Sequence, residues 1–144
     1  MKSQTRHIEG SKFETRIGAH YIVCDQPASE GGLDAGVSPP ELLLAALGSC
    51  AGHYALEYLR ARALPLEGLA VEVSAETAAG RLADFRVTVR ASHADEKHRQ
   101  GILRAVKACL IYNTLTSISS VEFEVADSAA PNHNRPAQFS ATAR

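Results

Sequence analysis

Three cysteines are the residues best able to do nucleophilic or redox chemistry in this chain: Cys24, Cys50 and Cys109. Cys50 stands in the run "LGSCAG", flanked by Gly48, Ser49, Ala51 and Gly52. A thiol there is either a small buried hydrophobe or, once deprotonated, a nucleophile. Three cysteines are too few, and too odd in number, for a disulfide framework, so packing or chemistry must explain each. The small neighbours leave room beside the sulfur for a second helix, another subunit or a small substrate. The plainer alternative is two helices crossing closely.

A reactive thiol needs positive charge nearby to hold its thiolate. His53, three residues on, can reach the same helix face, but it reads better as part of a polar stripe with Glu57. Cys50 is several turns from the helix start, where the dipole has faded. A distant arginine is the better candidate, and Arg16 and Arg6 both qualify. Glu41 lies about 13 Å along the helix from Cys50 and on nearly the opposite face. It can face such a sulfur only in a second subunit; within one chain its role is to close a helix cap.

The elements that must carry these residues are legible in outline. "FETRIG" and "HYIVC" are short strands punctuated by Gly10 and Gly18. Residues 25–37 form a long loop, a type that is uncommon in small domains and often functional. Ser38, Pro39 and Glu41 form a capping box at the head of a long helix. Its first half, Leu42 to Leu47, is apolar all round and should be buried on every side. From Ser49 a polar stripe of Ser49, His53, Glu57 and Arg60 appears, so the helix should start inside and end at the surface.

"LAVEVSAET" and "DFRVTVRA" alternate strictly and flank Gly80, which predicts a hairpin with one wet face of glutamates across from arginines. The stretch from Ser92 to Leu115 predicts a second helix, capped by Ser92 or Asp95, with Cys109 at the end of its apolar side. Gly101 weakens that helix without forbidding it. "SVEFEVA" predicts a last strand with Val121, Phe123 and Val125 facing in. Residues 127–144 have no period and should form a loosely ordered tail after a single domain over 1–126. The order of elements predicts an α+β fold with antiparallel or mixed sheets and helices packed on one side. Both helices should pack on the same sheet, so Cys50 and Cys109 could meet.

Bulk properties narrow the function. The chain has 144 residues, 45% of them apolar and 22% charged, with a formal net charge of −1. That composition suits one domain and gives no reason to expect a nucleic acid, a membrane surface or an acidic partner. The start of the chain lacks an apolar signal region, and no stretch reads as long and apolar enough to span a bilayer, so a reduced, cytoplasmic setting is expected. The six histidines show no ligand spacing, and neither CxxC nor HExxH occurs, so no metal and no cofactor are expected.

"SPPELLLAALGSCAG" and "ACLIYNTL" resemble the two cysteine motifs of the OsmC/Ohr family, the osmotically inducible and organic-hydroperoxide-resistance proteins. The likeness extends to "GGLDAGVSPPELLLAALGSC" and "LPLEGLAVEV" and covers most of the chain up to Thr114. Many relatives carry Pro where Leu110 stands and His where Tyr112 stands. The resemblance implies an α+β, OsmC-like fold in an intertwined homodimer with two sites at the subunit interface. It implies that Cys50 attacks an organic hydroperoxide and Cys109 resolves it. An N-terminal-strand arginine, assigned here to Arg16, would polarise the thiolate, and Glu41 would hold that arginine. The spacing from Glu41 to Cys50 is one residue shorter than in the better-characterised peroxidases and resembles a less characterised branch.

The implied cycle runs through a Cys50 sulfenic acid and a Cys50–Cys109 disulfide that an external dithiol reduces. Leucines with Tyr54, Tyr58 and Tyr112 would favour a bulky apolar hydroperoxide, although Tyr58 reads better as core. Cys24 reads as structural. The competing reading is a non-catalytic dimeric binder of a small apolar ligand, or a thiol redox sensor, on the same fold.

Overall fold

The computed structural model describes residues 1–92, 94–117 and 120–126. Three N-terminal strands, β1 (Gln4–Glu9), β2 (Lys12–Ile17) and β3 (His20–Cys24), form an antiparallel meander. Its tight turns place Gly10 and Gly18 at positive φ, where a side chain would be strained. Arg6 lies opposite Glu14 across β1 and β2, and its Nε donates to the carboxylate at 2.7 Å.

β3 runs into the long loop, and one buried residue organises that loop. Asp25 is 3% exposed. Its carboxylate accepts from Ser11 Oγ at 2.6 Å and from the N–H groups of Gln26, Leu33 and Ala35 at 2.9, 3.1 and 3.2 Å. Cys24, buried beside it, bridges to Val37 in parallel and closes the loop. Cys24 is therefore a packed residue at the neck of the loop, in line with its structural reading.

The central helix α1 (Pro39–Arg60) begins as its sequence dictates. The Glu41 carboxylate takes both the N–H and the hydroxyl of Ser38 at 2.8 Å. Leu47, Ala51, Ala55 and Leu59, spaced four apart, form the buried row. Ala55 and Leu59 join Ala94 and Ile102 in the core, with Tyr58, Leu64, Leu69, Val89, Ala91 and Val106 around them. The expected gradient along α1 is reversed. Leu42, Leu43 and Leu44 are only half-buried and Ala45 is exposed, because the first two turns of α1 are only partly covered by the described residues. α1 also corrects the expectation about membrane spans: its length and composition would suffice to cross one. Here the apolar face of its second half packs on the hairpin and on both other helices.

The hairpin β4 (Ala70–Ala78) and β5 (Arg81–Arg90) turns through Ala79 and Gly80, both at positive φ. Glu72 meets Arg90 diagonally, Nη2 to Oε2 at 2.7 Å, on the wet face. The other face lies on α1. A Cβ at Gly48 would stand 3.2 Å from Val73 Cγ2, and one at Gly52 would stand 3.5 Å from Val71 Cγ2. These glycines therefore let β4 approach and do not open space beside the Cys50 sulfur.

The expected second helix is two helices, α2 (Glu96–Val106) and α3 (Leu110–Thr116). Asp95 caps α2 and accepts from the His98 N–H at 2.8 Å. Tight turns from Ala108 to Ala105 and from Cys109 to Val106 end it, and Cys109 is extended at φ −59°, ψ 132°. The strand expected at 120–126 is absent: no described residue pairs with it, and Val121, Phe123 and Val125 are 67%, 92% and 101% exposed. The expected tail, 127–144, lies outside the described residues. Antiparallel sheets with three helices make this an α+β fold.

Candidate active site

The break between α2 and α3 builds the site. It turns Cys109 out of the helical path into the position just before α3, and α3 then packs on α1 beside Cys50. Cys109 is fully buried and Cys50 partly so, and neither is in a disulfide. The two thiols stand close enough that each shifts the ionisation of the other. The backbone N–H groups of Ile111 and Leu110, at the start of α3, also favour the ionised form of Cys50.

These contacts set the two thiols apart. Burial pushes Cys50 up, but the Cys109 thiol and the Ile111 and Leu110 N–H groups outweigh it and hold Cys50 below its ordinary value. Burial pushes Cys109 up, and the hydrogen bond and charge of Cys50 add to that. The Tyr112 and Ile111 N–H groups oppose the rise without cancelling it. The Cys50 thiol is thus the more readily ionised of the two. Such a pair can attack an electrophile at Cys50 and close a disulfide with Cys109.

The other expected residues lie elsewhere. Arg16 is on β2, where its Nε donates to the Gly18 carbonyl at 3.0 Å, and β2 does not pack on α1. Arg6 is engaged with Glu14. Glu41 closes the α1 cap, and its carboxyl is held below the ordinary range by the Ser38 backbone and hydroxyl. His53 is exposed and stands edge-on to Tyr54, ring centroids 5.8 Å apart. Tyr58 belongs to the helix packing, with Oη 3.3 Å from His98 Nδ1. Tyr112 is exposed on α3. What sequence reasoning missed are the Leu110 and Ile111 N–H donors. Backbone donors carry no residue identity, and only a helix restart after Cys109 would have revealed them.

Two open grooves mark the surface. One of about 460 Å³ lies between α1 and β4, lined by Gly48, Ser49, Gly52, His53, Leu56, Leu69, Ala70 and Val71. The other, of about 610 Å³, lies where β5 meets α2 and includes Arg90, Ser92, Arg99 and Ile102. Neither is lined by Cys50 or Cys109. Among the described residues no cluster of three His, Cys, Asp or Glu side chains could hold a metal ion.

A thiol pair at the crossing of a central helix and a short C-terminal helix, in an α+β frame, defines a class. The chain belongs to the OsmC-like protein family, whose model matches residues 31–124. Its fold is similar to that of a Psychrobacter arcticus protein described for osmotic stress and detoxification responses, with TM-score 0.72 and 18% identity over 79% of this chain and 87% of that one. An OsmC-like protein from Mycoplasma pneumoniae matches with TM-score 0.69 and 17% identity over 81% and 87%. The organic hydroperoxide resistance protein OhrB of Bacillus subtilis matches with TM-score 0.54 and 16% identity over 81% and 90%. No curated protein matches the chain.

Proposed function

We propose that this protein is a thiol-dependent peroxidase that reduces organic hydroperoxides in oxidative stress defence. The observation that carries this reading is the Cys50–Cys109 pair, with the Cys50 thiol held down by donors and the Cys109 thiol held up by burial. The Cys50 thiolate attacks the O–O bond, so that Cys50 becomes a sulfenic acid and the alkoxide leaves and takes a proton. The Cys109 thiol then displaces water and closes the disulfide. An external dithiol returns both thiols by exchange and is itself oxidised to a disulfide. The N–H groups of Leu110 and Ile111 hold the thiolate before attack and again when exchange releases it.

An organic substrate fits the apolar surroundings, with Leu110 exposed at 57% and Tyr112 at 37% beside the pair. The family includes proteins named for organic hydroperoxide resistance. The working form in this proposal is a homodimer in the reducing cytoplasm. Two bare surfaces support that assembly: the apolar first half of α1 and the three-stranded sheet, where Phe13, Ile17 and Val23 are exposed. In this proposal Arg16 and Glu41 serve the Cys50 of the other subunit.

The test is hydroperoxide consumption with a dithiol. Cys50→Ser should abolish it while leaving the assembly intact, and undiminished turnover in that variant would rule the mechanism out. The groove between α1 and β4 favours a second reading, a non-catalytic binder of a small apolar ligand. One equivalent of organic hydroperoxide separates the two. A mass loss of two protons across Cys50 and Cys109 supports the peroxidase, and an unmodified protein supports the binder.

A further inference from the structure

The thiol pair is enclosed asymmetrically, and that asymmetry bears on how its disulfide is opened. Within one subunit Cys109 is 0% exposed, whereas Cys50 is only partly buried. Cys109 is shut in between α1 and the start of α3. Thiol–disulfide exchange needs the incoming thiolate to reach the sulfur that it attacks.

We propose that the reductant enters the Cys50–Cys109 disulfide at Cys50 and expels Cys109. This rests on the peroxidase reading only for the role of the disulfide in turnover. The reductant thiolate forms a bond to the Cys50 sulfur, and the Cys50–Cys109 bond breaks. Its electron pair passes to Cys109, which takes up a proton as the reductant's second thiol loses one. The second thiol of the dithiol then attacks the reductant's own sulfur in the mixed disulfide. That step releases the Cys50 thiolate and leaves the reductant as a disulfide.

Electronic preference alone points the other way. The more acidic thiol is the better leaving group, and the donors of α3 make Cys50 that thiol. An unhindered disulfide would therefore open at Cys109 and release Cys50. Burial of Cys109 reverses the choice. Hydroperoxide and reductant then use one doorway and one sulfur in turn, and neither can occupy it while the other does.

The test uses the full chain oxidised with diamide, so it needs no peroxidase activity. A limiting monothiol, 2-mercaptoethanol, is added, the reaction is quenched with acid within milliseconds, and the adduct is mapped by peptide mass. The expected adduct is on Cys50, in at least about tenfold excess over Cys109. An adduct mainly on Cys109, an even split, or no disulfide after diamide would overturn the proposal. A second measurement uses single variants and a bulky aromatic disulfide. With the sites resolved by peptide mass, because Cys24 remains in both variants, Cys50 in Cys109→Ser should react at least about tenfold faster than Cys109 in Cys50→Ser, and urea should remove the difference. Equal rates without urea would also overturn it. A chain that consumes no hydroperoxide yet gives the Cys50 adduct leaves this inference standing while the peroxidase reading fails.

Discussion

Tyr58 of α1 occupies the space that a side chain at Gly101 of α2 would need, so a Cβ there would collide with the Tyr58 ring. The ring cannot swing aside freely. The Arg62 guanidinium lies 3.8 Å over its centroid, and Oη is 3.3 Å from His98 Nδ1. Gly101 is thus the point at which the two helices close, although glycine costs a helix interior about 1 kcal/mol relative to alanine. Overpacking of this kind costs about 1–3 kcal/mol. The propensity gain offsets part of that cost, so Gly101→Ala should lower stability by up to about 2 kcal/mol net, read as a lower urea midpoint. In a Tyr58→Leu background the same change should raise the midpoint, because the collision is gone and the propensity gain remains.

The effect of each thiol on the other makes a claim about pH. Cys109 is one of the groups that hold Cys50 below its ordinary value. Cys109→Ser replaces a thiol donor with a shorter hydroxyl whose oxygen stands farther from the sulfur. The iodoacetamide alkylation of Cys50, followed against pH, should then shift its midpoint upward relative to the native chain. An unchanged midpoint would mean that the α3 backbone alone sets Cys50.

The backbone share of that effect can be isolated at Leu110. Leu110→Pro deletes one N–H that favours the ionised form of Cys50. The site tolerates proline on local grounds: it is the first residue of α3, and Cys109 before it is already extended at φ −59°, ψ 132°. The variant should keep its far-ultraviolet circular dichroism while the Cys50 alkylation midpoint rises. Ile111 still donates, so the rise should be partial. No rise would remove Leu110 from the account of the thiolate.

Where the sequence was legible, the signals were local. Ser38, Pro39 and Glu41 announce α1 within one turn, strict alternation announces β4 and β5, and Asp95 caps α2. What could not be read depends on contacts between distant segments. No glycine or proline marks the break at residues 107–109, and the packing of α3 on α1 accounts for it instead. Residues 120–126 alternate like a strand, but a strand needs an edge to pair with, and none in the described chain is beside them. Leu42 to Leu44 read as core because they are apolar, yet the described residues leave them half-exposed. Gly48 and Gly52 looked like room beside the Cys50 sulfur, yet they face β4, and the groove they line with it is not lined by Cys50 or Cys109. The meeting of Cys50 with Cys109 could be read only as an outcome of two helices packing on one sheet, since their separation in sequence fixes no distance.

Asp25 links the long loop to acidity. The Ser11 hydroxyl does most to hold its carboxyl down, to about 2 from the usual 3.8; desolvation opposes this, and the Ala35, Leu33 and Gln26 N–H groups add to it. The folded state therefore binds this proton less readily than the unfolded chain does. The stability that Asp25 contributes should be complete above about pH 4 and should be lost as the pH falls towards about 2. Asp25→Ala removes the acceptor of all four hydrogen bonds. The urea midpoints of the native and variant chains should differ at about pH 5, and that difference should shrink at about pH 2.5, where the other carboxylates titrate alike in both. The variant should also be cut by proteases within residues 26–36 at neutral pH, because the loop then lacks its central acceptor. A difference that persists unchanged in acid would show that Asp25 acts through shape and not through its charge.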